Sequence, residues 1–246
     1  MSCQTARSWD WRPRGPVVSV DRHTSSLRTL TWAVGVLRSV VRASVPAWSR
    51  RRSPVRCGPV SISTKRGDDG TTGLLYGGRV RKDSARIETN GVIDEAQAAL
   101  GLARAEVRGS KLDDELAGLE RDLWVVMAEV ATAPRSRHRL VASATLVTGE
   151  MVDALERRVH ELEALGATPG EFVVPGQSRA SAALDLARTV IRRAERKAVT
   201  LGLGNGSHVV PYLNRLSDLC WLLARSSERE HLTARALRVR APRAEA

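Results

Sequence analysis

Aromatic residues are scarce in this chain of 246 residues, which holds one Phe, two Tyr and six Trp, and four of the six Trp fall in the first 60 positions. Cysteine is scarce too. Cys3, Cys57 and Cys220 stand at spacings that match neither a zinc site nor a disulfide framework, so a reducing compartment is the simplest reading. No apolar run approaches the roughly 18 residues that a membrane-spanning helix needs, so a soluble, cytoplasmic protein with no membrane partner is expected. There is no G-x-x-x-x-G-K-[ST] spacing, which excludes a P-loop nucleotide fold. None of the five His has a metal-ligand spacing, and no Ser/His/Asp or Cys/His arrangement is recognisable. Neither a metal held by protein ligands nor a protein nucleophile is therefore expected.

Acidic residues are missing where basic ones gather. Residues 1–60 hold eleven Arg, no Lys and only Asp10 and Asp21, whereas the remainder is near balance, with 28 basic and 25 acidic residues. A pI near 10.9 would ordinarily point to nucleic acid. Here the charge is concentrated in a segment with no sustained period of 3.6 or 2, so no fold is assigned to it. Rich in Arg, with Ser and few acids, it resembles an organellar transit peptide, which would place the protein in the mitochondrial matrix. The plainer reading is a start codon set too far upstream, which four Trp and the abundance of Arg, Ala and Val favour. The expected organisation is an extension over 1–60, a folded domain over 61–232 and a flexible basic tail over 233–246.

From Ser61 onward helix formers dominate and breakers fall at regular intervals. A first helix is predicted from about Glu88 to Val107. A second runs from about Leu112 to Ala133, where Leu112, Leu116, Leu119, Leu123, Val126 and Val130 recur at three and four and Pro134 ends it. The third follows Thr148 as N-cap and stops at Gly166, with Met151, Leu155, Leu162 and Leu165 on its apolar side. The fourth lies between Ser178 and Gly202 on a stripe of Leu184, Ala187, Ile191, Ala194, Ala198 and Leu201. The fifth begins near Pro211, with Leu213, Leu216, Cys220 and Leu223 on one side. No strand pattern competes. The fold class is all-α, an up-and-down bundle of five helices.

Two stretches stand outside the helices, Ser61 to Gly78 and Phe172-Val173-Val174-Pro175-Gly176-Gln177, and both are candidate active-site loops. The first contains Thr64-Lys65-Arg66-Gly67-Asp68-Asp69-Gly70-Thr71-Thr72-Gly73. Such a loop can turn tightly, aim backbone N–H groups into a nest and hold polyphosphate with Lys65; a solvated turn is the bland alternative. On the fourth helix Arg188, Arg192 and Arg196 lie at i, i+4 and i+8 with Arg193 beside them. Like charges so stacked cost about 0.2–0.5 kcal/mol per pair unless something anionic lies against them. Guanidinium forks suit a triphosphate, whereas a plain charged face would keep Glu195 in local ion pairs. Asn214 and Asp218 share one wall of the fifth helix, with Arg225 further along. Phe172, the lone Phe, reads from its position as a hydrophobic plug.

In order along the chain, Thr64-Lys65…Gly67-Asp68…Gly70-Thr71-Thr72, Gly77-Gly78-Arg79-Val80…Lys82-Asp83, Asp94-Glu95, Phe172-Val173…Pro175-Gly176, Ala187-Arg188-Thr189-Val190…Arg192-Arg193-Ala194-Glu195-Arg196 and Tyr212-Leu213-Asn214-Arg215-Leu216-Ser217-Asp218 resemble the PduO-type ATP:cob(I)alamin adenosyltransferases. The resemblance covers roughly Ser61 to Arg225. It implies a homotrimer with active sites shared between neighbouring subunits. ATP would be held by Thr64, Lys65, Arg66, Gly67, Thr72, Gly73 and Lys82, and by Arg192, Arg193, Glu195, Arg196 and Asn214. Asp94 and Arg188 would pair across the subunit interface, and Asp218 would lie near the corrin or support Asn214. Phe172 would fill the side vacated by the cobalamin lower base. Co(I) would then attack the 5′ carbon of ATP, and triphosphate, neutralised by Mg²⁺ and arginines, would leave. A cobalamin reductase and a B12-dependent mutase are the implied partners.

Three residues depart from the family pattern. Gln177 replaces a glycine, Asp185 a frequent His, and Trp221 follows Cys220 where an aromatic is usual; all three are expected on the corrin side. A competing reading makes the chain a non-enzymatic helical module that binds nucleic acid or an acidic partner through residues 1–60.

Overall fold

Each of the five apolar periodicities is a helix: α1 (Ala85–Glu106), α2 (Lys111–Val130), α3 (Gly149–Ala164), α4 (Arg179–Leu201) and α5 (Val209–Ser226). They are seen in a computed structural model that describes residue 63 and residues 65–236. The expectations for 1–60, with Cys3 and Cys57, for Thr64 and for the end of the basic tail lie outside the described residues.

Helix ends follow local chemistry. Ser178 and Ser181 form a reciprocal capping box at the start of α4, and Gly202 closes it at φ 62, a left-handed cap that a β-carbon would strain. The Ser110 hydroxyl accepts from Asp113 N–H at the start of α2, and such a cap is worth about 1 kcal/mol. Thr148 stands at the N-cap of α3, but its side chain makes no cap bond. The second helix stops at Val130, short of the expected Ala133, because Ala131 O accepts from Leu75 N–H.

Packed pairs run α2 with α1, α1 with α4, α4 with α5, and α5 with α3, so α4 is flanked on two sides. Its buried stripe explains this position: Ala187, Ala194 and Ala198 are small enough for close approach, and Leu184 and Ile191 fill the gaps between them. Buried Leu and Ile side chains of this kind contribute about 1.5–3 kcal/mol each. Arg158 on α3 joins Glu115 on α2, Nε to Oε1 at 2.7 Å, between the two outer helices. One apolar assignment fails. Leu165 is 80% exposed because α3 ends at Ala164 and Leu165 caps it, while Val152 is buried in its place.

Two short strands occur where none was expected, β1 (Thr71–Gly73) and β2 (Arg79–Arg81), paired antiparallel with Thr72 opposite Val80. Three residues per strand are too few for a period of two to appear in a sequence. The turn between them carries Tyr76, Gly77 and Gly78 at positive φ, which the two glycines make inexpensive. The hairpin is fastened just after α2, where Leu75 bridges Thr132, and Arg139 of the 3-10 turn Pro134–Arg139 donates to Tyr76 O while lying 4.5 Å from its ring centre. Arg86, in the first turn of α1, donates to the carbonyls of Val130 and Thr132 and ties α1 to the same place.

Candidate functional site

The hairpin and the turn before it enclose an open cleft of about 480 Å³ lined by Lys65, Arg66, Gly67, Asp68, Thr71, Thr72, Gly73, Arg79 and Lys82. Its floor is built by backbone bonds: Gly70 N–H donates to Gly67 O at 3.2 Å, and Lys82 N–H donates to Gly70 O at 2.9 Å. Gly67 sits so close to Lys82 that an added β-carbon would meet Lys82 Nζ at 2.9 Å. Lys65 has φ 54, a left-handed conformation unusual for a residue with a side chain.

Arg79 organises the rim. Its Nε donates to Thr71 Oγ1 at 2.9 Å, and its Nη2 donates to Arg66 O and pairs with Asp69 at 3.2 Å. Asp69 also accepts from the N–H and hydroxyl of Thr71. The Thr71 backbone N–H, followed by its hydroxyl, holds the Asp69 carboxyl below its ordinary range, with Arg79 adding to the effect. Arg79 and Asp69 were absent from the predicted site because their roles depend on the strand register, which brings residues 69 and 71 next to 79. Four cations against one acid, Asp68, line the cleft itself. With glycine backbone and threonine hydroxyls, this is the chemistry of a polyphosphate cradle.

Of the predicted ligands, Lys65, Arg66, Gly67, Thr72, Gly73 and Lys82 come together here. Those predicted on α4 and α5 lie outside the cleft lining and form a second group. Arg192 and Arg196 are exposed and make no ion pair among the described residues. The rest of the array is compensated, against expectation. Arg188 Nε lies 3.4 Å from Asp185 Oδ1, Arg193 pairs with Glu95 of α1, and Lys197 pairs with Glu88 at 3.2 Å. Glu195 is not in an arginine pair; it accepts from Asn214 Nδ2 at 3.1 Å, while Asn214 Oδ1 accepts from Arg215 at 2.6 Å and Arg215 pairs with Glu156. Both ends of the Asn214 amide are thus fixed.

Asp218 faces solvent beside this group; partial burial pushes its carboxyl up, against the pull of Arg215 and Arg192. Arg225 does not continue that wall. It is 2% exposed and points into the bundle, where Nη2 donates to Asp185 Oδ2 at 2.5 Å. Asp185 is accordingly buried in an ion pair and is not an open lining residue, and Trp221 lies with its ring centre 6.0 Å from the Arg225 guanidinium. Phe172 is 88% exposed, so it plugs nothing within its own chain. Asp94 is exposed and forms no ion pair among the described residues.

Comparison with known proteins gives these two groups a context. The cobalamin adenosyltransferase family model matches residues 62–227, from the cleft loop through α5. The corrinoid adenosyltransferase of Citrobacter freundii is 37% identical over 169 residues, covering 68% of this chain and 94% of its own length. That of Bacillus subtilis is 38% identical over 173 residues, covering 68% and 86%. Among solved structures, a variant of the PduO-type ATP:corrinoid adenosyltransferase from Lactobacillus reuteri complexed with cobalamin and ATP superposes with a TM-score of 0.64 at 26% identity, covering 71% of this chain and 99% of that one. The match takes in the cationic cleft, the α4 arginines and the whole bundle that carries them, and by it this chain belongs to the cobalamin adenosyltransferases.

Proposed function

We propose that the protein transfers the 5′-deoxyadenosyl group of ATP to cob(I)alamin, forming adenosylcobalamin and releasing triphosphate. The observation that carries this reading is the cleft, where Lys65, Arg66, Arg79 and Lys82 border a glycine and threonine loop in a member of this family. Cob(I)alamin is itself the nucleophile, so the chain's residues have to position, exclude water and neutralise charge. Lys65, Arg66 and Lys82 bind triphosphate oxygens with the N–H groups and hydroxyls of Gly67, Thr72 and Gly73, and Thr64 belongs to the same loop. Arg192, Arg193 and Arg196 receive the leaving charge from α4. Asn214 and Glu195, locked to each other, hold the nucleoside end or the arginines beside it.

Mg²⁺ enters this reading as a companion of the triphosphate, offsetting its charge. Asp68 fits it: Mg²⁺ is commonly bound through one or two carboxylates plus substrate phosphates, and Asp68 is the acid of the cleft lining. Phe172, exposed on its loop, fits a role against the corrin, and Asp218 in this reading serves near the corrin or supports Asn214. Asp94 and Arg188 pair between subunits of a homotrimer in this reading, and no described partner occupies Asp94 within its own chain. A reductase delivering Co(I) and a mutase consuming the product are the partners the chemistry calls for, in the cytoplasm.

The test is anaerobic conversion of chemically reduced cobalamin with Mg-ATP, followed by visible spectrum. Wild type, Arg192→Ala and a chain starting at Ser61 are compared. Conversion by wild type and the shortened chain, with Arg192→Ala lowered about 10- to 100-fold, is the expected result. Folded wild type that gives no ATP-dependent conversion overturns the reading and returns attention to residues 1–60.

A further inference from the structure

The chain after α5 does not run free from residue 233, as the expected basic tail would. Val174 N–H donates to Leu232 O at 2.7 Å, Ala234 N–H donates to Phe172 O at 2.8 Å, and Val173 and Thr233 form an antiparallel bridge. These two bonds flank Val173, and one of them is made to the backbone of Phe172 itself, whose side chain is 88% exposed. A weaker ion pair, Arg235 to Glu171 at 3.6 Å, continues the contact. The segment Leu232–Ala234 is thus a strap across the loop that leads into α4.

What holds the strap is buried. The Glu228 side chain is fully buried, with Oε1 3.2 Å from Arg225 Nη2, an ion pair, and Oε2 2.9 Å from His231 Nδ1. Arg225 in turn is tied to Asp185 of α4 at 2.5 Å. Removing two carboxylates and a guanidinium from water is costly, and apolar residues of similar size would often fill such a place at no loss of stability. What the ionic cluster supplies is direction. It closes a circuit from α4 through Asp185, Arg225 and Glu228 to the strap, and through the strap's backbone to residues 172–174, which lead back into α4.

We propose that Glu228 is a positioning residue for the corrinoid side of the site: anchored on Arg225, it fixes the strap that holds the Phe172 loop in place. This deepens the adenosyltransferase reading and rests on it. A held loop presents Phe172 without paying the ordering entropy at each binding event. The effect should therefore appear in the handling of cobalamin and leave that of ATP alone.

A substitution that deletes one atom group tests this. Ala236 N–H donates to Thr233 O, so Ala234 occupies the second position of a turn, where proline is well accommodated. Ala234→Pro removes the N–H that bonds Phe172 O and touches no core residue. Glu228→Gln keeps the shape and removes the charge. Steady-state adenosylation by the full chain is measured for both variants, for Phe172→Ala, and for each variant combined with Phe172→Ala. Each is expected to raise the KM for cobalamin about fivefold, as for the loss of one hydrogen bond, with the KM for ATP within twofold. In the Phe172→Ala background neither is expected to add a further change. Unchanged cobalamin KM in Ala234→Pro, parallel losses for both substrates, or an undiminished effect without Phe172 would each overturn the proposal. Inactive wild type removes the adenosyltransferase reading, and the proposal with it; active wild type with an unaffected Ala234→Pro removes the proposal alone.

Discussion

Replacing Gly67 by alanine isolates one contact of the cleft. The added β-carbon would lie 2.9 Å from Lys82 Nζ, 3.0 Å from Lys82 Cε and 3.2 Å from Thr71 O. The backbone at Gly67 is not in the left-handed region, so alanine is conformationally allowed and the collision is steric. Lys82 is exposed and flexible at its end, and it yields before the Thr71 carbonyl does. Stability should therefore fall by less than about 1 kcal/mol, as for surface substitutions generally. Binding should suffer more. A displaced ammonium forfeits a charge-assisted contact of about 1.5–3 kcal/mol, which is about 10- to 100-fold in the KM for ATP. Initial rates of anaerobic adenosylation across a range of ATP concentrations measure this. Lys82→Ala should lose as much, and Gly67→Ala with Lys82→Ala no more than either alone, since both remove one interaction. A KM for ATP within twofold of wild type in Gly67→Ala, or additive losses in the double variant, would refute the assignment of Lys82 to the triphosphate.

Other expectations concern stability and titration. Glu129 is fully buried and accepts from Arg137 at 2.8 Å, Val147 N–H at 2.8 Å and Ser207 at 2.7 Å, so Glu129→Ala should cost about 3 kcal/mol in urea unfolding, the low end for breaking a buried pair because Arg137 reaches solvent; a loss under about 1 kcal/mol would contradict the role. Partial burial raises the Asp218 carboxyl above its ordinary value of 3.8, so the folded state binds that proton more tightly than the unfolded one and the ionised group opposes folding. Asp218→Asn should thus raise Tm at pH 7, the gain vanishing below about pH 3.8; a gain that grows on acidification would reverse the sign. Burial pushes the Cys220 thiol up to about 12, so in a chain starting at Ser61 a disulfide reagent at pH 8 should titrate no thiol until urea unfolds the protein.

The bundle was legible because burial writes a period into a helix. Leu184, Ala187, Ile191, Ala194 and Ala198 are all buried, and the caps at Ser178 and Gly202 stand where their residue types placed them. The cleft loop was legible as chemistry, through lysine, glycine and threonine, but not as geometry. Its strands are three residues long, and the partners of Arg79 are eight to thirteen residues away along the chain. Arg225 shows the same limit more sharply. An arginine off the leucine stripe reads as an exposed wall, and only the fold reveals Asp185 and Glu228 waiting for it inside. Charge pairing between elements has no period, so it leaves no pattern to read.

The α4 cations carry this one step further. Arg188, Arg193 and Lys197 are ion-paired with carboxylates of the chain, whereas Arg192 and Arg196, one turn apart on one stripe, make no ion pair among the described residues, and Arg192 feels only the more distant Asp218. Their mutual repulsion costs a few tenths of a kcal/mol, which a bound polyanion would reverse. Yet no α4 residue lines the cleft formed by the hairpin. If both groups serve one triphosphate across a subunit interface of the proposed homotrimer, a lone chain holds two half-sites. Specific activity should then fall on dilution in step with the trimer measured by light scattering, and an Arg192→Ala chain mixed with a Lys82→Ala chain should recover activity through hybrid interfaces. Specific activity that is independent of concentration while the trimer dissociates would show instead that one chain completes the site by itself.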